Sequence, residues 1–131
     1  MAVKQIIKGQ RGGYRPGSGR KPLNQDARIA EGWYVYVMRE EPCAGYLKIG
    51  IAHKPYSRLS SAQTSNPRLL VFGGLWSLEA SDVNAAVEKA LHKALRPFHV
   101  RGEWFEVRIA DVERHLADVA GAFGVEAKRV M

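Results

Sequence analysis

The chain has 131 residues, long enough for one domain with its own hydrophobic core and too short for two of comparable size. It carries 20 Lys and Arg against 13 Asp and Glu, a formal net charge of +7, and a lone cysteine, Cys43, which excludes an internal disulfide and a cysteine-based zinc cage. No apolar run has the length of a bilayer span and the first residues lack the apolar stretch of a secretory signal, so a membrane span is not expected and a reducing cytoplasm is the expected compartment; the positive charge points to nucleic acid as the default partner, with an anionic membrane surface as the lesser option.

The charge is unevenly spread. Before Gly32 there are seven Lys and Arg against two acids, and the remainder carries thirteen against eleven. Residues 1–31 therefore read as a basic arm, expected to be disordered because Gly9, Gly12, Gly13, Gly17, Gly19, Pro16 and Pro22 break any periodicity. Within it, Arg15-Pro16-Gly17-Ser18-Gly19-Arg20-Lys21-Pro22 resembles an AT-hook type of minor-groove arm, in which Arg15, Arg20 and Lys21 would contact DNA. Two residues separate Gly17 from Arg20, so the compact Arg-Gly-Arg core is missing, and a solubilising leader is the equal alternative.

A domain follows over residues 32–125. Trp33 to Met38 is predicted as a strand, with Tyr34, Tyr36 and Met38 on one face and Trp33, Val35 and Val37 on the other. After a turn at Glu40 to Gly45, Tyr46 to Ile51 makes an antiparallel second strand. Pro55 suits a helix N1 position, and the helix to about Gln63 carries Arg58. Leu69 to Trp76 is a third strand, weakened or bulged at Gly73-Gly74. Ser81 or Asp82 is expected to cap a long helix that runs to about Arg96, buries Val83, Val87, Ala90, Leu91, Ala94 and Leu95, and sets Glu88 and His92 on the edge of that stripe. Lys89, Lys93 and Arg96 fall on its open face. Glu103 to Val107 is a short extended segment with Trp104 and Phe105 in the core, and Asp111 to about Ala122 is a closing helix with Val112, Leu116, Val119 and Phe123 inward. The fold class expected from this order is α+β, a small three-stranded antiparallel sheet flanked by helices.

The series Gly32-Trp33-Tyr34, Lys48-Ile49-Gly50, Arg58, Glu88 and Gly102-Glu103-Trp104-Phe105 resembles the GIY-YIG nuclease superfamily in its phage-type DNA-binding branch, over about Gly32 to Val107. A histidine or tyrosine found in many members one turn after the arginine is replaced here by Ala62. The resemblance implies a DNA endonuclease of phage or mobile-element type that uses one Mg2+ or Mn2+ ion. Glu88 would hold the metal, Tyr34 would take a proton from water, Lys48 would favour the phenolate, and Arg58 would grip the phosphate. Tyr34 and Tyr36 also fit plain strand residues, Arg58 a solvated helix charge, and Lys48 an edge-blunting lysine. Glu88 with His92 fits a surface pair, His92 as readily supports the core as the site, and Glu103 is expected to be structural or orienting. A catalytically inactive DNA-binding module is the alternative function, and an RNA-directed version of either stays open.

Overall fold

The computed structural model describes residues 25–42, 45–79 and 82–131, and the period-two pattern of its first strand decides how everything else packs. In β1 (Tyr34–Glu40), Val35 and Val37 join one apolar cluster while Tyr34, Tyr36 and Met38 join another on the opposite face. Antiparallel β2 (Leu47–Ala52) continues both faces, with Tyr36 opposite Gly50 and Met38 opposite Lys48. Helix α1 (Pro55–Thr64) covers the tyrosine face, and its Leu59 and Ala62 pack against that cluster. On the other face lie α2 (Asn84–Ala94), through Val87 and Leu91, and α3 (Ile109–Ala122), through Val112 and Leu116. The sheet is thus a partition between two cores.

Strand β3 (Leu70–Ser77) lies on the other side of β1 and carries the expected bulge: Val37 pairs with Gly74 and Met38 with Phe72, which leaves Gly73 without a register partner. Gly74 has a second task, since a Cβ there would stand 2.5 Å from the Trp76 ring, which is buried in the α2 and α3 face. Three short strands, β4 (His99–Arg101), β5 (Trp104–Phe105) and β6 (Lys128–Arg129), complete the sheet in the order β4-β5-β2-β1-β3-β6. The expected three strands are therefore six. Segments of two or three residues have no alternation to read, and their pairing comes only from the strand beside them.

Other boundaries also shift. Helix α2 starts after Val83, which stands at the N-cap without a side-chain bond, so Asp82 does not cap it; Ser81 lies outside the described residues. The helix closes at Ala94, and Arg96–Phe98 tightens into a 3-10 turn around Pro97. In α3 the inward stripe is Val112, Leu116 and Ala120, with Val119 packed against the same core as expected, while Phe123 is 40% exposed just past the helix end. Phe105 is buried as expected, but Trp104 is only half-buried. Disorder was expected over residues 1–31; Arg15, Arg20 and Lys21, with all of residues 1–24, lie outside the described residues, whereas residues 25–31 are ordered, contrary to that expectation, because Asp26 anchors them on α1.

Just ahead of the domain start read at residue 32, a 3-10 turn at Gln25–Arg28 docks on α1. Asp26 accepts hydrogen bonds from the backbone N–H of Tyr56 (2.8 Å) and Ser57 (2.9 Å) and from the Ser57 hydroxyl (2.6 Å). Lys54, the residue at the N-cap, makes no such bond, so a carboxylate thirty residues upstream supplies the cap and complements the positive end of the helix. Among the described residues, no helix is long and apolar enough to cross a membrane.

Candidate functional site

The tyrosine face of β2 ends in a gap. Gly50 offers no side chain opposite Tyr36, and the space is filled by the Tyr36 phenol: a Cβ at Gly50 would lie 2.3 Å from its oxygen and 3.2 Å from Glu103 Oε1. The Tyr36 hydroxyl donates to Glu103 Oε1 at 3.0 Å and accepts from Arg58 Nη1 at 3.3 Å. Glu103 comes from the turn between β4 and β5, whose pairing with β2 carries it back beside Lys48. There Lys48 Nζ lies 3.3 Å from Glu103 Oε1 and 5.9 Å from the centre of the Trp104 ring. Arg58 projects from the second turn of α1 and covers the Tyr36 ring.

Above this network opens a cleft of about 410 Å³, with Lys48, Arg58, Ser61, Asn66, Glu103 and Trp104 in its walls. A second hollow of about 360 Å³ adjoins it, since Arg58 and Ser61 line both, and extends past Ser57 and Lys54 to Trp33 and His53. Three cations, hydroxyl groups along one side of α1 and a half-buried tryptophan at each end make a trough suited to an anionic, base-bearing strand.

Burial of the phenol, followed by the Glu103 charge and hydrogen bond, pushes the Tyr36 pKa well above its ordinary value despite the lowering effect of Arg58. Tyr36 is therefore a neutral proton donor to Glu103 in the free protein. Its side chain is fully buried beneath Arg58 and Glu103.

The residues expected from sequence divide into two groups. Lys48 and Arg58 meet in the cleft. Tyr34 does not reach it, because its hydroxyl donates to the Ala30 carbonyl at 2.5 Å, and burial, then Glu79, raises its pKa. Tyr36, two residues further along the same face, stands where Tyr34 was expected. Ala62 lines the cleft wall, and Gln63 beside it is engaged by the Leu70 N–H and by the Asn66 and Arg68 carbonyls. Glu103, expected as an orienting group, touches both the phenol and Lys48. The signal that singles out Tyr36 was present in the sequence, in a glycine set opposite it once the two strands are placed in register.

Glu88 and His92 reach β2 from α2. His92 Nε2 lies 2.9 Å from the Ile49 carbonyl, to which it donates, and its ring rests against Phe105. Glu88 Oε2 accepts from the Ile51 N–H at 3.2 Å, next to Gly50. Through Ile51 N and the Gly50 Cα, these contacts keep the Glu88 carboxylate within roughly 10 Å of the phenol oxygen by standard backbone dimensions.

A magnesium or manganese ion suits this donor set in one respect. Glu88 spends one oxygen on Ile51 and has no partner for the other among the described residues, and a hard cation held by one carboxylate, phosphate oxygens and water needs no larger protein cage. No group of three or more His, Cys, Asp or Glu among the described residues forms such a cage.

Comparison with curated proteins gives no match, and neither does comparison with solved structures. The T5orf172 domain matches residues 33–120, which takes in every strand and helix of the trough. This match corrects the resemblance to the GIY-YIG superfamily: short motifs in a fitting order pointed to one family, whereas the pattern of the domain as a whole fits another. With most of its length inside that match, the chain belongs to the T5orf172 domain family, a phage-type family of nucleic-acid-related domains.

Proposed function

We propose that the chain is a metal-dependent DNA endonuclease of phage or mobile-element type that hydrolyses a phosphodiester bond in the Arg58, Lys48 and Glu103 cleft. The observation that carries this reading is the Tyr36 hydroxyl set between a guanidinium and a carboxylate. Arg58 would form a forked contact with the phosphate, and Lys48 would add a point charge beside it. As Arg58 turns toward the phosphate, it uncovers the phenol.

Tyr36 then receives a proton from the attacking water while its own proton passes to Glu103 Oε1. The new P–O bond forms from that water, the bridging P–O bond breaks, and the leaving oxygen takes a proton from solvent. The relay avoids a free phenolate, which the raised Tyr36 pKa disfavours. Glu88 would hold the Mg2+ or Mn2+ ion through the oxygen not engaged by Ile51, and a bound ion would supply charge neutralisation at the phosphate and leaving oxygen. His92, fixed on Ile49, positions β2 and the Glu88 helix without touching substrate.

A second reading, a DNA-binding module without cleavage, is favoured by the phenol itself, which is held neutral and lies beneath Arg58 while the cations of the trough remain able to bind phosphate. Supercoiled plasmid incubated with the protein and Mg2+ or Mn2+ separates the two. Nicking that EDTA abolishes and that Tyr36→Phe and Glu88→Ala each reduce by about 10²-fold or more supports the nuclease. DNA binding with no nicking in either metal leaves the binding module.

A further inference from the structure

Behind the β4–β5 hairpin, on the side away from the cleft, is a concavity of about 350 Å³ whose walls include Lys89, His92, Lys93, Arg96 and His99. Its lining residues contain no carboxylate. Lys89, Lys93 and Arg96 take part in no ion pair among the described residues. The demands of folding do not account for the cluster. Lys93 and Arg96 complement the negative end of α2, but Lys89 sits mid-helix, and like charges at positions 89 and 93, one turn apart, oppose helix formation.

The two histidines leave the cations free to act. His92 Nε2 is taken by the Ile49 carbonyl and His99 Nε2 by the Gly102 carbonyl. The hairpin also ties this patch to the cleft, because Gly102 lines the concavity and its neighbour Glu103 lines the cleft. A polyanion crossing the hairpin edge meets cations on both sides of one turn.

We infer that Lys89, Lys93 and Arg96 form a second phosphate-backbone contact for the duplex DNA whose scissile phosphate lies in the cleft. This rests on the nuclease reading for the identity of the polyanion but not for the contact. The three cations bind the backbone without reading bases, so they set affinity and salt dependence and leave the chemical step alone.

The test compares the full chain with a Lys89→Gln, Lys93→Gln, Arg96→Gln variant in fluorescence-anisotropy binding to a short mixed-sequence DNA duplex across a KCl series. The slope of log K against log salt is expected to lessen by about 0.9 for each phosphate no longer neutralised, hence by roughly 2 to 3, with binding at least about tenfold weaker at low salt. Plasmid nicking at saturating DNA is expected to stay within about twofold of the parent. A Lys89→Arg, Lys93→Arg variant is expected to keep the parent slope. An unchanged slope and affinity in the glutamine variant overturns the proposed contact, whatever the nicking result. A changed slope in a chain that never nicks keeps the contact and removes the nuclease, and a parent chain that fails to bind duplex at low salt removes both. A slope change seen with an RNA duplex and absent with DNA overturns the choice of partner.

Discussion

Gly50→Ala is the smallest perturbation that separates the position of the Tyr36 phenol from its chemistry. The added methyl would stand 2.3 Å from the phenol oxygen, about 1 Å inside ordinary carbon-oxygen contact, and the ring behind that oxygen is fully buried and rigid. A shift of that size pulls the hydroxyl off partners at 3.0 and 3.3 Å, beyond useful hydrogen-bond length. Misplacing a reacting group by about 1 Å lowers turnover by about 10²-fold, and overpacking a core edge costs about 1–3 kcal/mol. The assay is plasmid nicking in Mg2+ beside urea denaturation of the same protein. Gly121→Ala is the control, since that glycine lies in α3 with open space where a Cβ would go, and helix propensity gives the variant about 0.5–1 kcal/mol more stability with nicking untouched. Full nicking by Gly50→Ala would refute the claim that the phenol works from its observed position.

Two further outcomes follow from the same contacts. Asp26→Ala removes three hydrogen bonds at the start of α1 and is expected to cost about 1–2 kcal/mol in urea denaturation; a loss below a few tenths would mean that the first turn is capped by water as effectively. At alkaline pH the raised pKa values of Tyr34 and Tyr36 mean that the folded chain binds more protons than the unfolded one once pH passes about 10, the reference value for a free phenol. Their contribution to stability is therefore whole below that pH and is lost as pH climbs toward the folded values. Tyr36→Phe should flatten this decline in a pH series of denaturation curves, and an unaltered decline would show that Tyr36 titrates normally.

The two faces of β1 were legible because alternation is a local property, and so was the core of the α2 stripe, Val87, Leu91 and Leu95, although Ala90 and Ala94 are only half-buried and the buried Asn84 was not expected. Periodicity alone treats Tyr34 and Tyr36 alike, since both lie on one face, and the glycine opposite Tyr36 becomes a signal only when the register of the two strands is known. What separates the two tyrosines is the partner of each hydroxyl: Glu103 is 67 residues from Tyr36, whereas Tyr34 is held by the Ala30 carbonyl only four residues away, a backbone group that side-chain patterns do not reveal. Phe123 was placed inward by a stripe extrapolated past the point where the helix stops. Trp104 has the size and hydrophobicity of a core residue, but it sits on a two-residue strand in the wall of the cleft, where it is only half-buried. Capping by Asp26 was hidden for a similar reason, because a cap is sought within a few residues of its helix and this one arrives from a separate turn.

That remote cap fixes where the chain enters the domain. Asp26 and its turn are held beside the first turn of the helix that bears Arg58, so one carboxylate pins the entry turn and a wall of the trough to each other. The carboxylate of Asp26 thus acts as a mooring point as well as a cap, and its loss would free the turn and the helix start together.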